Sequence, residues 1–278
     1  MKEFKDKVAV ITGAASGIGR GLAERCAQEG MKVVLADVEE QALVKAEAEL
    51  KAGGASVLSV LTDVSKYSDV EALARKTMDT FSAVHLLCNN AGVGAGTTVW
   101  ESTIEDWKWV VGVNLWGVIH GIHVFVPIML EQDTECHIIN TASMAGLLPF
   151  HPRSATYQVT KHGVVALSEQ LYHELAFRGA NVKVSVLCPG WVNTGIIDSE
   201  RNRPPDLCNI QMDIPISPEI EAVDEKIRQD IQDGMSPRQV GDIVFNAVRE
   251  NKYYILTHPD WKPLVQMRME NILQECNP

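Results

Sequence analysis

Short apolar runs alternate with amphipathic segments along most of this chain, and that alternation predicts its elements. Val8-Ala9-Val10-Ile11 has the continuous apolar character of a strand buried on both faces. Ile18 to Gln28 follows with helical spacing and stops at Gly30, where a helix C-cap is expected. The pattern then repeats. Strands are predicted at Val33–Ala36, Val57–Leu61 and Val84–Cys88, with amphipathic helices at Glu39–Lys51 and Asp69–Phe81 between them. A long helical stretch covers Ile104 to Leu130, with Pro127 near its end. His137–Asn140, Ser154–Phe177, Val182–Leu187 and Tyr253–Leu256 then read as strand, helix, strand and strand. Apolar strands joined by helices imply an α/β, Rossmann-type doubly wound parallel sheet of about seven strands, with helices on both faces.

No repeat or long linker divides the chain, so a single domain over 1–278 is expected. The irregular part begins at Gly195. Pro204-Pro205, Pro215 and Pro218 punctuate it, with Ile196, Ile197, Leu207, Ile210, Met212, Ile214 and Ile216 among them. An insertion at about 195–235 would overlie the carboxyl ends of the strands, where such sheets bind ligands. Residues about 259–278 form a tail whose segment Leu264–Leu273 reads as an amphipathic helix. It is expected to cover the pocket, a neighbouring subunit or its own domain.

The 278 residues are 46% hydrophobic, enough for a substantial core, and carry a net charge of −11 without a basic run. Nucleic acid is therefore not an expected partner. No apolar run reaches the length of a membrane span, so a membrane is not expected either. The charged opening stretch Met1–Lys7 lacks a signal-peptide core. The six cysteines show neither C-x-x-C nor zinc spacing, so no metal is expected. Several lie in apolar runs, and a reduced, cytoplasmic setting follows.

Thr12-Gly13-Ala14-Ala15-Ser16-Gly17-Ile18-Gly19 joins the first strand to the first helix. Glycines at this turn permit close backbone approach, and the helix N-terminus presents unpaired N–H groups to a pyrophosphate. Asp37 ends the second strand, where a carboxylate accepts hydrogen bonds from an adenosine ribose and repels a 2′-phosphate. No Lys or Arg lies between Gly13 and Gly19, and Val38 follows Asp37. NAD is therefore expected over NADP. Asp63, at the end of the third strand, is placed to meet the adenine or to cap a turn.

Tyr157 and Lys161 stand one helical turn apart on one face. A phenol titrates near pH 10, and an ammonium beside it favours the phenolate. The pair is a candidate general acid/base for a hydroxyl or carbonyl oxygen.

With these motifs in order, the chain resembles the classical short-chain dehydrogenase/reductase family. The resemblance rests on Thr12-Gly13-x-x-x-Gly17-x-Gly19, Asn89-Asn90-Ala91-Gly92, Asn114 within Val113-Asn114-Leu115, Ser143, Tyr157-x-x-x-Lys161 and Pro189-Gly190-Trp191-Val192-Asn193-Thr194. It runs from about Lys7 to Thr194. It implies that Tyr157 transfers a proton, that Lys161 lowers its pKa and bonds the nicotinamide ribose, and that Ser143 donates to the substrate oxygen. Asn114 would interrupt its helix and hold a water near Lys161. Ser16, Ile18, Val64, Asn90, Ala91, Gly92, Pro189 and Gly190 would line the dinucleotide, with Val192 and Thr194 at the carboxamide.

The expected substrate is a fairly hydrophobic secondary alcohol or ketone. Its pocket would draw on Ser143, Ala145, Leu148, Phe150, Trp191 and Ile196, with His151 nearby. Arg153, Arg201 and Arg203 leave room for a carboxylate. A hydroxysteroid-type dehydrogenase, an NADPH-dependent 3-oxoacyl-type reductase and a catalytically silent dinucleotide-binding regulator are the alternatives. The family's habit of pairing the helices around 104–130 and 154–178 implies a homodimer or homotetramer.

Overall fold

The computed structural model describes residues 1–149, 153–209 and 218–277. Phe150, His151, Ile210, Met212, Ile214, Pro215 and Ile216 therefore lie outside the described residues.

Seven parallel strands form one Rossmann-like sheet. They are β1 (Val8–Thr12), β2 (Lys32–Asp37), β3 (Val57–Leu61), β4 (Leu86–Asn89), β5 (Cys136–Thr141), β6 (Val182–Cys188) and β7 (Tyr254–Leu256). Their order is β3-β2-β1-β4-β5-β6-β7, so the winding direction reverses between β1 and β4. Val10 pairs with Val34 on one side and Leu87 on the other.

The helices are α1 (Gly17–Gln28), α2 (Glu40–Ala52), α3 (Tyr67–Phe81), α4 (Ile104–Val111), α5 (Gly117–Glu131), α6 (Ala155–Phe177), α7 (Pro218–Gln232), α8 (Pro237–Arg249) and α9 (Lys262–Leu273). Strand alternation sends Ala9, Ile11, Val33 and Leu35 into one core layer beneath α1, α2 and α8. Val8, Val10, Val34 and Ala36 enter the other, beneath α3, α5 and α6. Both faces are covered, which is why the strands read as unbroken apolar runs.

The predicted strands and most of the helices are present, with boundaries shifted by a few residues. β4 starts at Leu86 rather than Val84, because the Gln132 amide takes both backbone groups of Val84, at 2.7 and 2.8 Å. The long helix is broken by a π segment, Gly112–Trp116, that separates α4 from α5. Contrary to expectation, the stretch Ile104–Glu131 contains an 18-residue window apolar enough to cross a membrane, with mean hydropathy 1.6. Its charges cluster at the start, so counting uninterrupted apolar residues missed it. Phe125 and Met129 anchor it in the core.

Two helices lay beyond the periodicity reading. α7 occupies the later part of the insertion. α8 opens with a Ser236/Gln239 capping box and packs against α1. At that crossing a Cβ on Gly21 would stand 2.3 Å from the Pro237 carbonyl oxygen, so only glycine admits the contact. The tail forms α9 as expected, but no residue in it is buried, and Leu264, Met267, Ile272 and Leu273 are exposed.

His137 on β5 is wholly buried, with Nε2 2.7 Å from Ser185 Oγ. Desolvation pulls its pKa down to about 3. Between pH 6.5 and 3 the unfolded chain therefore binds the extra proton, and stability falls as the pH falls. His137→Asn should flatten the acid limb of thermal stability between pH 6.5 and 4. The native histidine forfeits on the order of 3 kcal/mol across that window, which Tm measured against pH will show.

Candidate active site

The strand ends meet a cleft of roughly 570 Å³ at the β1/β4 reversal. Thr12 closes this point. Its Oγ1 accepts from the Asn90 and Ala91 N–H groups at 2.9 and 3.1 Å, while Asn90 Nδ2 donates to the Thr12 carbonyl at 3.0 Å. The glycine loop is thereby held against the end of β4. Gly13 (φ 65°) and Gly17 (φ 52°) occupy left-handed backbone. A Cβ on Gly13 would lie 2.9 Å from Ala91 Cα.

Ser16 caps α1 without a side-chain hydrogen bond, so the first N–H groups of the helix face the cleft beside Ser16, Gly17 and Ile18. An open helix N-terminus beside a bare glycine cradle fits an anionic diphosphate. Gly19 does not line the cleft. Its Cα faces the Gly13 carbonyl oxygen, which a Cβ would approach to 2.0 Å, so its part is to let helix and loop close together.

Asp37 lies at the cleft, with one carboxylate oxygen accepting from Ala15 N at 2.9 Å and the other from Glu39 N at 3.1 Å. Burial raises its pKa, and these N–H groups act against the rise. Asp63 also lines the cleft, but its carboxylate accepts from Ser65 N and Oγ at 3.0 and 2.7 Å and faces Lys66 at 3.3 Å. The turn-acid reading therefore holds for it alongside any contact with a ligand. Val64, Asn90, Ala91, Gly92, Pro189, Gly190, Val192 and Thr194 complete this part of the wall.

α6 brings Tyr157 and Lys161 to the cleft floor with Ser143. Lys161 Nζ lies 5.4 Å from the Tyr157 ring centroid and donates to the Thr141 carbonyl at 2.9 Å. Ser143 Oγ accepts from Ala145 N at 3.1 Å. Burial raises the phenol pKa, and a hydrogen bond with the Ser143 side chain opposes the rise. Burial also pulls the Lys161 ammonium down to about 8. The expected depression of the phenol by Lys161 is thus absent here, because desolvation dominates both groups and the ammonium is turned to Thr141.

Asn114 sits in the π segment and does interrupt its helix. It is wholly buried and does not line the cleft. Both its amide hydrogens are engaged, by Val93 O at 2.9 Å and Thr160 Oγ1 at 3.2 Å, while Oδ1 accepts from Val93 N at 2.8 Å.

Among the pocket residues, Trp191 and Ile196 line the cleft, but Ala145 and Leu148 do not. Ala145 is buried beneath Ser143, and Leu148 packs with Val164 and Val165 under α6. The chain turns inward after Ser143, which directs these side chains to the core.

The strand-and-helix reading also missed residues that reach the cleft. Trp261, from the turn before α9, stacks edge-on against Trp191 at 6.0 Å, and Ile227 and Ile231 come from α7. Arg203 turns away from any ligand. It pairs with buried Asp106 on α4, lies 4.5 Å over the Trp109 ring, and donates to Leu207 O at 2.8 Å. No local pattern marks this pair, although the Thr103/Asp106 capping box was readable.

A buried lysine held at a lowered pKa is a stability penalty, present in full below pH 8 and relieved as the pH rises towards 10.5. Lys161→Met should therefore raise unfolding stability by on the order of 2 kcal/mol at pH 7. The gain should shrink between pH 8 and 10, as read from denaturant or thermal unfolding.

Comparison with known proteins agrees with this geometry. The short chain dehydrogenase family model matches residues 7–205. A CLA biosynthesis dehydrogenase/reductase of Lactiplantibacillus plantarum is 34% identical over 283 residues, covering 100% of this chain and 97% of the relative. A 1-deoxy-11-beta-hydroxypentalenate dehydrogenase of Streptomyces exfoliatus is 42% identical over 196 residues, covering 70% of each. Among solved structures, a short chain dehydrogenase/reductase from Burkholderia phymatum in complex with NAD superposes with a TM-score of 0.95. It is 48% identical, and the match covers 100% of this chain and 98% of that one. Sheet order, glycine loop and the Tyr157/Lys161 cleft thus carry the same conclusion as these matches: the chain belongs to the short-chain dehydrogenase/reductase family of oxidoreductases, which bind a nicotinamide dinucleotide.

Proposed function

We propose that this oxidoreductase transfers a hydride between NAD(H) and a fairly hydrophobic secondary alcohol or ketone, with Tyr157 as the general acid/base. The observation that carries this reading is the meeting of a half-buried phenol, its Ser143 partner and the Lys161 ammonium at the floor of the cleft that Asp37 closes at its other end.

When bound, the dinucleotide supplies the hydride acceptor or donor. Gly13, Ser16, Gly17 and Ile18 would hold its diphosphate, and Asp37 its adenosine ribose. Val192, Thr194 and Lys161 would hold the nicotinamide half. A raised pKa keeps Tyr157 protonated at neutral pH, which suits it to donate a proton to a carbonyl oxygen. In the reverse direction it must give up that proton before it can accept one, and the Lys161 ammonium favours the phenolate once the two groups approach. Ser143 donates to the reacting oxygen. Asn114 acts from behind by fixing Val93 and Thr160, next to the backbone that carries Gly92 and Lys161.

Asp37, already poor in solvent, disfavours a 2′-phosphate, which supports NAD over NADP. Trp191, Ile196, Leu207, Ile227 and Trp261 give the remaining wall its apolar character, which supports an apolar substrate. Members of this family commonly act as oligomers on small molecules. Only 33% of the apolar window in Ile104–Glu131 is buried within the chain, and Val159, Tyr172 and Phe177 of α6 are exposed. These faces support a homodimer or homotetramer.

The test is NAD and NADP reduction with a panel of apolar secondary alcohols. Tyr157→Phe should lower kcat by about 10²–10⁴-fold while NADH binding persists. NADH binding without turnover of any alcohol would favour a silent regulator, and preference for NADPH with an acyl thioester would favour the 3-oxoacyl-type alternative. Asp37→Ala should narrow the NAD preference by about tenfold, equivalent to about 1.4 kcal/mol. That is read as the ratio of kcat/KM for the two cofactors.

A further inference from the structure

The chain leaving β6 crosses the whole cleft. Arg201 Nε and Nη2 donate to Glu39 Oε1 at 3.1 and 2.7 Å, and Asn202 Nδ2 donates to the same oxygen at 2.8 Å. Glu39 lies just past the end of β2, whereas residues 196–203 follow β6. In the sheet, β1, β4 and β5 stand between those two strands. A contact between residues 39 and 201 therefore bridges the ends of all three, above the glycine loop and Asp37. We propose that Glu39, Arg201 and Asn202 form a latch that closes the 196–203 strap over the bound dinucleotide, and that opening this latch governs how fast the dinucleotide leaves. The proposal rests on the dinucleotide reading of the cleft.

The two attachments of the strap differ in strength, and the difference decides which one opens. Arg203 and Asp106 have side chains only 2% and 5% exposed, whereas Arg201 and Glu39 are 41% and 27% exposed. A desolvated pair with added hydrogen bonds is hard to break, while a solvent-facing pair is weak and screened by salt. The Arg203 end is the fixed anchor, and the Glu39 end is the one that releases. Arg201 also donates to Gly195 O and Asp198 O at 3.0 and 2.8 Å, so its guanidinium moves with the strap backbone. A middle tie, Gly94 N to Ser199 Oγ at 3.0 Å, holds the strap near the nicotinamide half. Glu39 in turn donates its N–H to Asp37, which couples the latch to the acid at the adenosine end.

Stopped-flow release of NADH, followed by its fluorescence, tests the idea in the full-length protein. Glu39→Ala and Arg201→Ala should each accelerate release by about three- to tenfold. The double variant should be no faster than Glu39→Ala, because loss of Glu39 already frees both Arg201 and Asn202. Raising the salt should speed release more in the unaltered protein than in either variant. A direct electrostatic effect on the cofactor phosphates predicts opposite signs, with loss of the carboxylate slowing release and loss of the guanidinium hastening it. Opposite signs, additive effects or unchanged rates would each overturn the latch. Failure of the unaltered protein to bind NADH would instead remove the cofactor reading beneath it.

Discussion

The Thr12 hydroxyl holds the site together. It sits where the sheet reverses direction, and two backbone N–H groups from the end of β4 converge on its single oxygen. The Asn90 amide returns a bond to the Thr12 carbonyl. These three contacts draw the glycine loop so close to Ala91 that no side chain fits at Gly13. Close approach then leaves the N-terminus of α1 facing a cleft instead of a capping side chain. The backbone N–H groups at the strand ends thus shape an anion-binding surface before any side chain enters it.

The floor of the cleft shows the opposite strategy. Lys161 is buried and Tyr157 half-buried, and desolvation moves each away from its charged form. The ammonium is retained with the Thr141 carbonyl as its hydrogen-bond partner. Such an arrangement lowers stability in exchange for a proton-transferring pair that a small change in surroundings can shift. The π segment serves the same end, because it turns Asn114 inward to fix Val93 and Thr160 behind that pair.

The segment after β6 owes its form to charge rather than to apolar periodicity. Arg203 is buried because Asp106 and the Trp109 ring receive it. Arg201 stays at the surface because Glu39 does. All three arginines named as possible carboxylate readers look alike in sequence. Two are engaged by acids 97 and 162 positions away, and of the three Arg153 and Arg201 line the cleft.

The parallel sheet, the position of the glycine loop and the Tyr157/Lys161 face were legible in the amino-acid sequence. Each depends on local spacing: strands buried on both faces are uniformly apolar, and residues four apart share a helix face. α8 was legible too, through its capping box, although apolar runs alone did not reveal it. Other features were decided only by tertiary structure. Ala145 and Leu148 belong to the core because the chain turns inward after Ser143. The phenol pKa rises because desolvation outweighs the Ser143 hydrogen bond while the Lys161 ammonium points to Thr141. The strap reaches Glu39 because the sheet order places the ends of β2 and β6 on opposite sides of one cleft. Burial and charge pairing are properties of distances through space, and spacing along the chain does not encode them.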